Sequence, residues 1–345
     1  MANPTLRLEF FESGIGDTII ITFPDGGVGV VDAHPSKEGI RPSILDLLKG
    51  KHLHFVCLTH PHADHGKDLV PILQQHPNID EFWHTVPETT AFIYRITQTV
   101  VYPSPVREFA LKMQSEWAHT FLDIFDSIQQ RRIPDKILQS NLASWEVSGV
   151  RVHVLSPSEA VRREFRQTLV AKVDDPDIQF PDENRLSAVL ALEFGTNLVL
   201  LGADAPRNEW RDAHSEWRNK KLPKACILKI PHHGSSDTVD WRGGKSTAHF
   251  LEMCLAGTDT KAVLFAGDYS HPSKDVYERL IIETDLFCLG NGLKSSAPNP
   301  LRIKDPRAKA VQASHACQPV VVFEIGDSGP PNVTKGFHCN GCPRS

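Results

Sequence analysis

The chain has no surplus of basic charge: 37 Lys and Arg stand against 42 Asp and Glu, a net charge of −5 over 345 residues. That balance removes any global cationic footprint for nucleic acid and leaves only local runs to argue from. No apolar run approaches the about 18 residues that a membrane span needs, so no membrane association is expected. The opening "MANPTLRLEF" lacks a basic segment followed by an apolar stretch and does not read as a secretory signal. Cysteine is sparse, with seven scattered residues, and Cys57 and Cys226 lie in apolar runs as buried thiols. That usage argues against a disulfide framework and for a reducing, cytoplasmic setting. There is no fixed-period repeat and no low-complexity tract.

What is present is a succession of short apolar runs that end in Asp or His. "LRLEFFES" leads through the turn "GIGD" to "TIIITF", then through "PDGG" to "VGVVDA". Pro-Asp-Gly-Gly between β-branched runs marks a hairpin. "HFVCLTH" and "IDEFWHT" read as strands around a helix in "GKDLVPILQQ". "LSAVLALEFG" and "TNLVLLGAD" read as a second hairpin, and "KACILKIPHHGSS" as a strand ending in a His pair. Residues 158–183 read as a helix and a polar loop, and "GDSGPPN" as a linker. In residues 93–143, Phe109, Met113, Trp117, Phe121, Phe125 and Ile128 recur three or four apart, one face of an amphipathic helix. That face packs on the protein's own core or docks a protein partner.

The strand ends bring Asp32, His60 to His65, Asp204, His232, His233 and His271 toward one sheet edge. Densest is "THPHADHG", residues 59–66, with His60, His62, Asp64 and His65 in six positions. Neutral imidazoles and carboxylates are metal ligands, and four so close would suffer desolvation and repulsion without a cation. His60 and His62 can share one ion, with Asp64 and His65 facing a second.

HxHxDH after a strand, with Asp32 ending an earlier one, resembles the metallo-β-lactamase fold superfamily. The order of motifs is most similar to the soluble hydrolase domain of the DNA-uptake protein ComEC and its stand-alone relatives. The shared stretches are Gly14, Gly16 and Asp17 before "PDGG", "LTHPHADHG", Asn184 to Ser187, "LLGAD", "LKIPHHGSS" and "HPS" at 271–273. The resemblance implies an α/β fold, a four-layer αββα sandwich, spanning residues 1–295 with a helical insertion at about 88–143. It implies two divalent ions, Zn2+ first and Mn2+ second. His60 and His62 would bind one, Asp64 and His65 the other; Asp204 would bridge them, and His271 would be the last ligand. One departure stands out: "LSPS", residues 155–158, has no His where the superfamily places one. Either the first ion has fewer protein ligands, or His153, His84, His232 or His233 fills that gap.

Such a centre lowers the pKa of a shared water and clamps the oxygens of an in-line displacement at phosphorus. Asp64, Lys229 and His233 are the candidate catalytic residues, with Lys229 placed to offset transition-state charge or to face solvent as an ordinary strand lysine. The basic run "WRNKKLPK", 217–224, would guide DNA to the site. Three functions follow: a metal-dependent nuclease or phosphodiesterase acting on DNA, a hydrolase of lactones, thioesters or β-lactams, or a partner-docking effector using residues 93–143. Residues 296–345 read as an extension ending in a zinc knuckle or a flexible tail around His315, Cys317, His338, Cys339 and Cys342.

Overall fold

The computed structural model describes residues 4–11, 13, 16–36, 42–86, 116–174, 182–242, 245–265, 271–289 and 320–335. In chain order the strands are β1 (Thr5–Phe11), β2 (Ile19–Thr22), β3 (Val28–Val31), β4 (Leu53–Leu58), β5 (Ile79–His84), β6 (Asp135–Ile137), β7 (Trp145–Val147), β8 (Val150–Ser156), β9 (Val189–Phe194), β10 (Asn197–Leu201), β11 (Ile227–Lys229), β12 (Asp240–Arg242), β13 (Lys245–Thr247), β14 (Lys261–Phe265), β15 (Asp285–Leu289), β16 (Val320–Gly326) and β17 (Asn332–Lys335). The helices are α1 (Ile44–Leu48), α2 (Ala63–Gly66), α3 (Leu69–Gln75), α4 (Glu116–Arg131), α5 (Glu159–Asp174), α6 (Arg207–Asn219), α7 (His249–Glu252) and α8 (Lys274–Glu283).

Two sheets stack face to face. The first has the order β17-β16-β1-β2-β3-β4-β5-β6, the second β15-β14-β11-β10-β9-β8-β7. In β1, Leu6, Leu8 and Phe10 are fully buried between the sheets, while Arg7 and Glu9 point away and pair with each other. That is the period-two alternation of a strand with one core face. Phe55 and Trp83 stack at 3.6 Å in the same layer, and Phe10 meets Phe265 of the second sheet edge-on. The outer faces are apolar too. α1, α3 and α4 cover the first sheet through Ile44, Leu73, Ile124, Phe125 and Ile128. α6, α7 and α8 cover the second through Trp210, Phe250 and Leu280. The chain is thus an α/β, four-layer αββα sandwich, and a sheet buried on both faces explains why runs such as "HFVCL" are apolar without alternation.

The hairpin β2–β3 closes through "PDGG", with Gly26 at φ +86°, a left-handed position that suits glycine. The pattern expected in 93–143 survives where it is described: Phe125 and Ile128 are buried in the layer over the first sheet. Residues 87–115, including Phe109 and Met113, lie outside the described residues, as do His315, Cys317, His338, Cys339 and Cys342 of the candidate zinc knuckle. Residues 320–335 add β16 and β17 to the first sheet, with β16 paired to β1 along its whole length. "GDSGPPN" is therefore the turn of the β16–β17 hairpin rather than a linker, because the strands it joins are hydrogen-bonded to each other. Among the described residues no helix is long and apolar enough to cross a membrane.

Strands β3 to β6 run parallel, as do β10, β11, β14 and β15. Their C-terminal ends share an edge, and that edge receives the loops that carry the Asp and His residues. Removing the stacked ring between the sheets should loosen that platform. Phe55→Ala is expected to cost about 3–5 kcal/mol, the usual loss for a fully buried Phe, read as a lower midpoint in urea denaturation.

Candidate metal centre

Asp32 follows β3 with φ +53°, a left-handed conformation that Asp tolerates better than most residues. Its carboxyl is buried and surrounded by donors. The Thr59 N–H donates to Oδ1 at 2.8 Å, and the Thr59 hydroxyl to Oδ2 at 2.6 Å. His65 Nδ1 lies 2.7 Å from Oδ2 and donates to it. Because the Thr59 hydroxyl spends its proton on Asp32, it accepts from His60 Nδ1 at 3.1 Å. Asp32 thereby sets two imidazoles at once, with His60 Nε2 and His65 Nε2 turned toward the cleft. Burial lowers the His65 pKa, but Asp204 and Asp32 outweigh it and raise it well above the usual imidazole value, so that ring draws positive charge to itself. Burial, followed by His65 and His62, pushes His60 well below its usual pKa and keeps it neutral.

His65 Nε2 faces Asp204 Oδ2 at 3.4 Å and Asp64 Oδ2 at 3.9 Å. His233 approaches Asp204 Oδ2 from the other side, with Nε2 at 3.6 Å. Its Nδ1 donates to the Phe265 carbonyl at 3.2 Å, so Nε2 again carries the lone pair. Both Nε2 atoms are buried and have no hydrogen-bond partner. Two imidazole nitrogens converging on a buried carboxylate oxygen call for positive charge between them, as a proton or a cation. Asp64, His65, Asp204 and His233 can each bring a ligand atom within 4.8 Å of the others. The donor set of two imidazole nitrogens and two carboxylates fits a divalent cation. The backbone also departs from common geometry here: Ala203, His232 and His233 have φ of +42°, +44° and +51°. Such non-glycine left-handed residues cost of order 1–3 kcal/mol each and cluster at functional sites.

Lys229 ends β11 fully buried. Its ammonium donates to the Ala203 carbonyl at 2.9 Å, forms a close ion pair with Asp17 and lies 3.5 Å from Asp204 Oδ1. The sequence placed this cation beside the metals; the structure puts it beneath Asp204, with no surface of its own. Burial raises the Asp204 pKa, but His65, His233 and Lys229 outweigh it and hold the carboxyl well below its usual range. Gly16 packs tightly against the site, since a Cβ there would strike the Asp64 carbonyl oxygen at 1.8 Å.

His60 Nε2 and His62 Nδ1 are 3.1 Å apart, beside the four-residue cluster. On the far side of the ring, His62 Nε2 faces Glu183 Oε2 at 3.8 Å. Glu183 escaped the sequence reading. It starts the short 3-10 turn Glu183–Leu186, which overlaps the motif Asn184 to Ser187, and just after that motif the Ala188 N–H donates to the Thr59 carbonyl at 2.9 Å. Its adjacency to that motif was the available signal. His232 points elsewhere, to Asp237 at 3.1 Å, with His271 5.5 Å from it ring to ring. Of the four candidates for the "LSPS" gap, His233 joins the cluster, and His232, His153 and His84 do not. His153 pairs with Glu193 at 3.1 Å, and His84 stacks on Phe82 and lies 3.4 Å from Asp135. At the gap itself, Ser156 Oγ is buried without a hydrogen-bond partner.

The basic run lies away from this edge. α6 starts at Arg207, three residues after Asp204, and runs 13 residues outward before β11 returns to the site. At 1.5 Å per residue, 217–224 sits roughly 20 Å away, at the opposite end of the sandwich.

No family model matches the chain, and no curated protein matches it. Solved structures share parts of its shape. The CmlA beta-hydroxylase aligns at 12% identity over 84% of this chain with a TM-score of 0.39. This chain spans about half of that one, 46% of its length. Igni18, a metallo hydrolase from the archaeon Ignicoccus hospitalis, aligns at 11% identity over 83% of this chain and 97% of its own, with a TM-score of 0.38. A long form RNase Z from yeast aligns at 9% identity over 96% of this chain and 50% of its own, with a TM-score of 0.42. At such identities and scores these likenesses establish neither family nor activity.

Asp32 supplies the sharpest test of the site. Asp32→Asn keeps the shape but places an amide where His65 and Thr59 need an acceptor. Zn2+ affinity, read by competition with a chromogenic chelator, should fall about 10–100-fold, the usual effect of losing a carboxylate behind a ligating His.

Proposed function

We propose that this chain is a metal-dependent hydrolase of the metallo-β-lactamase superfamily that cleaves phosphodiesters, with DNA as its substrate. The observation that carries the hydrolase reading is the convergence of His65 Nε2 and His233 Nε2, two buried nitrogens without a hydrogen-bond partner, on Asp204 Oδ2. His60 and His62 would hold one divalent ion, and Asp64, His65 and His233 the other, with Asp204 between them. When bound, two such ions supply a hydroxide nucleophile near neutral pH and offset charge on the phosphoryl oxygens.

The chain's own groups do the rest. Asp64 is the partly exposed carboxylate of the set, at 28% of its side chain, and is placed to accept a hydrogen bond from the attacking water. Lys229 anchors Asp204 from below and is itself held by Asp17, so Lys229 acts as a positioning residue. Glu183 holds His62 by its outer nitrogen.

The choice of DNA rests on the motif order shared with the ComEC-type domains. A second reading, a hydrolase of lactones, thioesters or β-lactams, is favoured by the distance of the basic run 217–224 from the cleft. Purified protein supplied with Mn2+ or Zn2+ should degrade DNA and hydrolyse bis(p-nitrophenyl) phosphate. Asp204→Ala and His62→Ala should each lower that rate at least 100-fold, as expected for loss of a group that holds the reacting centre. Intact DNA and diester alongside turnover of a lactone or thioester would replace the first reading with the second.

A further inference from the structure

The opposite end of the first sheet carries another His and Asp constellation, about 20 Å from the candidate centre at 3.3 Å per strand residue. His52 precedes β4 and His54 lies within it, two residues apart, so both rings project from one face. Asp80 on the neighbouring β5 faces both. His52 Nε2 is 2.8 Å from Asp80 Oδ1, and His54 Nδ1 is 3.5 Å from Asp80 Oδ2. The three residues can bring their ligand atoms within 4.8 Å of one another.

The surroundings orient His54 in particular. Its outer nitrogen, Nε2, lies 2.9 Å from Asp25 Oδ2 in the β2–β3 turn and 3.2 Å from Ser148 Oγ in the β7–β8 turn. A carboxylate there takes the ring proton on Nε2 and leaves Nδ1 as a lone pair aimed at Asp80, one acceptor facing another. This is the carboxylate–histidine arrangement that fixes metal-binding imidazoles. The backbone makes room for it, since a Cβ on Gly27 would strike His54 Nε2 at 2.1 Å, and Phe23 packs edge-on against the ring. His54 is 18% exposed, whereas His52 and Asp80 are each half exposed, which leaves an open side for an ion and a water to enter.

We propose that His52, His54 and Asp80 form a second zinc site, with Asp25 orienting His54. Two imidazoles and one carboxylate plus water complete a tetrahedral zinc shell. The ion would join β4 to β5, and through Asp25 and Ser148 it would tie the turns of the two sheets together, so binding stabilises the fold rather than supplying chemistry.

The test dialyses the full chain against Zn2+ and measures zinc per chain by elemental analysis. His52→Ala and the near-isosteric Asp80→Asn should each hold one zinc fewer than wild type, with bis(p-nitrophenyl) phosphate hydrolysis unchanged. Circular dichroism checks that each variant folds. A measurement on wild type needs no substitution: Zn2+ should slow carbethoxylation of His52 and His54 at least tenfold, mapped by peptide mass. Equal zinc content in wild type and a folded variant, or modification rates at His52 and His54 indifferent to Zn2+, would overturn the site. Failure here leaves the hydrolase reading untouched, because that reading stands on residues at the other edge.

Discussion

The buried carboxyl of Asp32 is the constraint on which the candidate centre depends. It takes three hydrogen bonds from two residues of one loop, Thr59 and His65. Those bonds decide which nitrogen of His65 holds the proton and, through the Thr59 hydroxyl, which nitrogen of His60 does. An imidazole binds a cation through a lone pair, so the loop "THPHADHG" is ready for metal only in these tautomers. Asp32 can act this way because it leaves β3 in a left-handed turn beside the end of β4, the parallel strand that delivers the loop.

Charge balance carries the arrangement deeper. Asp17, Asp32 and Asp204 are all buried, and such carboxylates persist only when paired or hydrogen-bonded. Lys229 meets two of them from the second sheet, which makes the two halves of the sandwich depend on each other electrostatically as well as through Phe10, Phe55 and Phe265. The left-handed backbone at Ala203, His232 and His233 is held by that same platform. His232 N–H, for example, bonds to the Ala203 carbonyl at 3.0 Å.

Much of this was legible in the amino-acid order, for identifiable reasons. Strand alternation in "LRLEFF", the "PDGG" turn and the density of HxHxDH are local signals, and local sterics and electrostatics produce them. What sequence hid depends on direction and distance. Periodicity in "ILKI" gives two faces but not which one Lys229 occupies, and the answer came from Asp17, more than 200 residues earlier. His84 and His153 alternate with apolar neighbours and looked available, yet each side chain meets an acid on a neighbouring strand, Asp135 or Glu193. Glu183 matters only because the turn before β9 folds onto the Thr59 loop. The pairing of β16 with β1 joins residues some 300 apart, and nothing in "GDSGPPN" announces that the chain has returned to the first sheet. The run 217–224 looked like an entrance because it precedes the His pair in sequence, but a helix that leaves the site and a strand that comes back place it at the far end.

The central claim is that one edge of the sandwich binds divalent metal through residues whose lone pairs Asp32 has aligned. Its most direct measurement is the metal content of zinc-dialysed wild type against the His60→Ala/Asp204→Ala double variant, with folding checked by circular dichroism. The folded double variant should hold two fewer zinc ions per chain. The same zinc content in both proteins would contradict it.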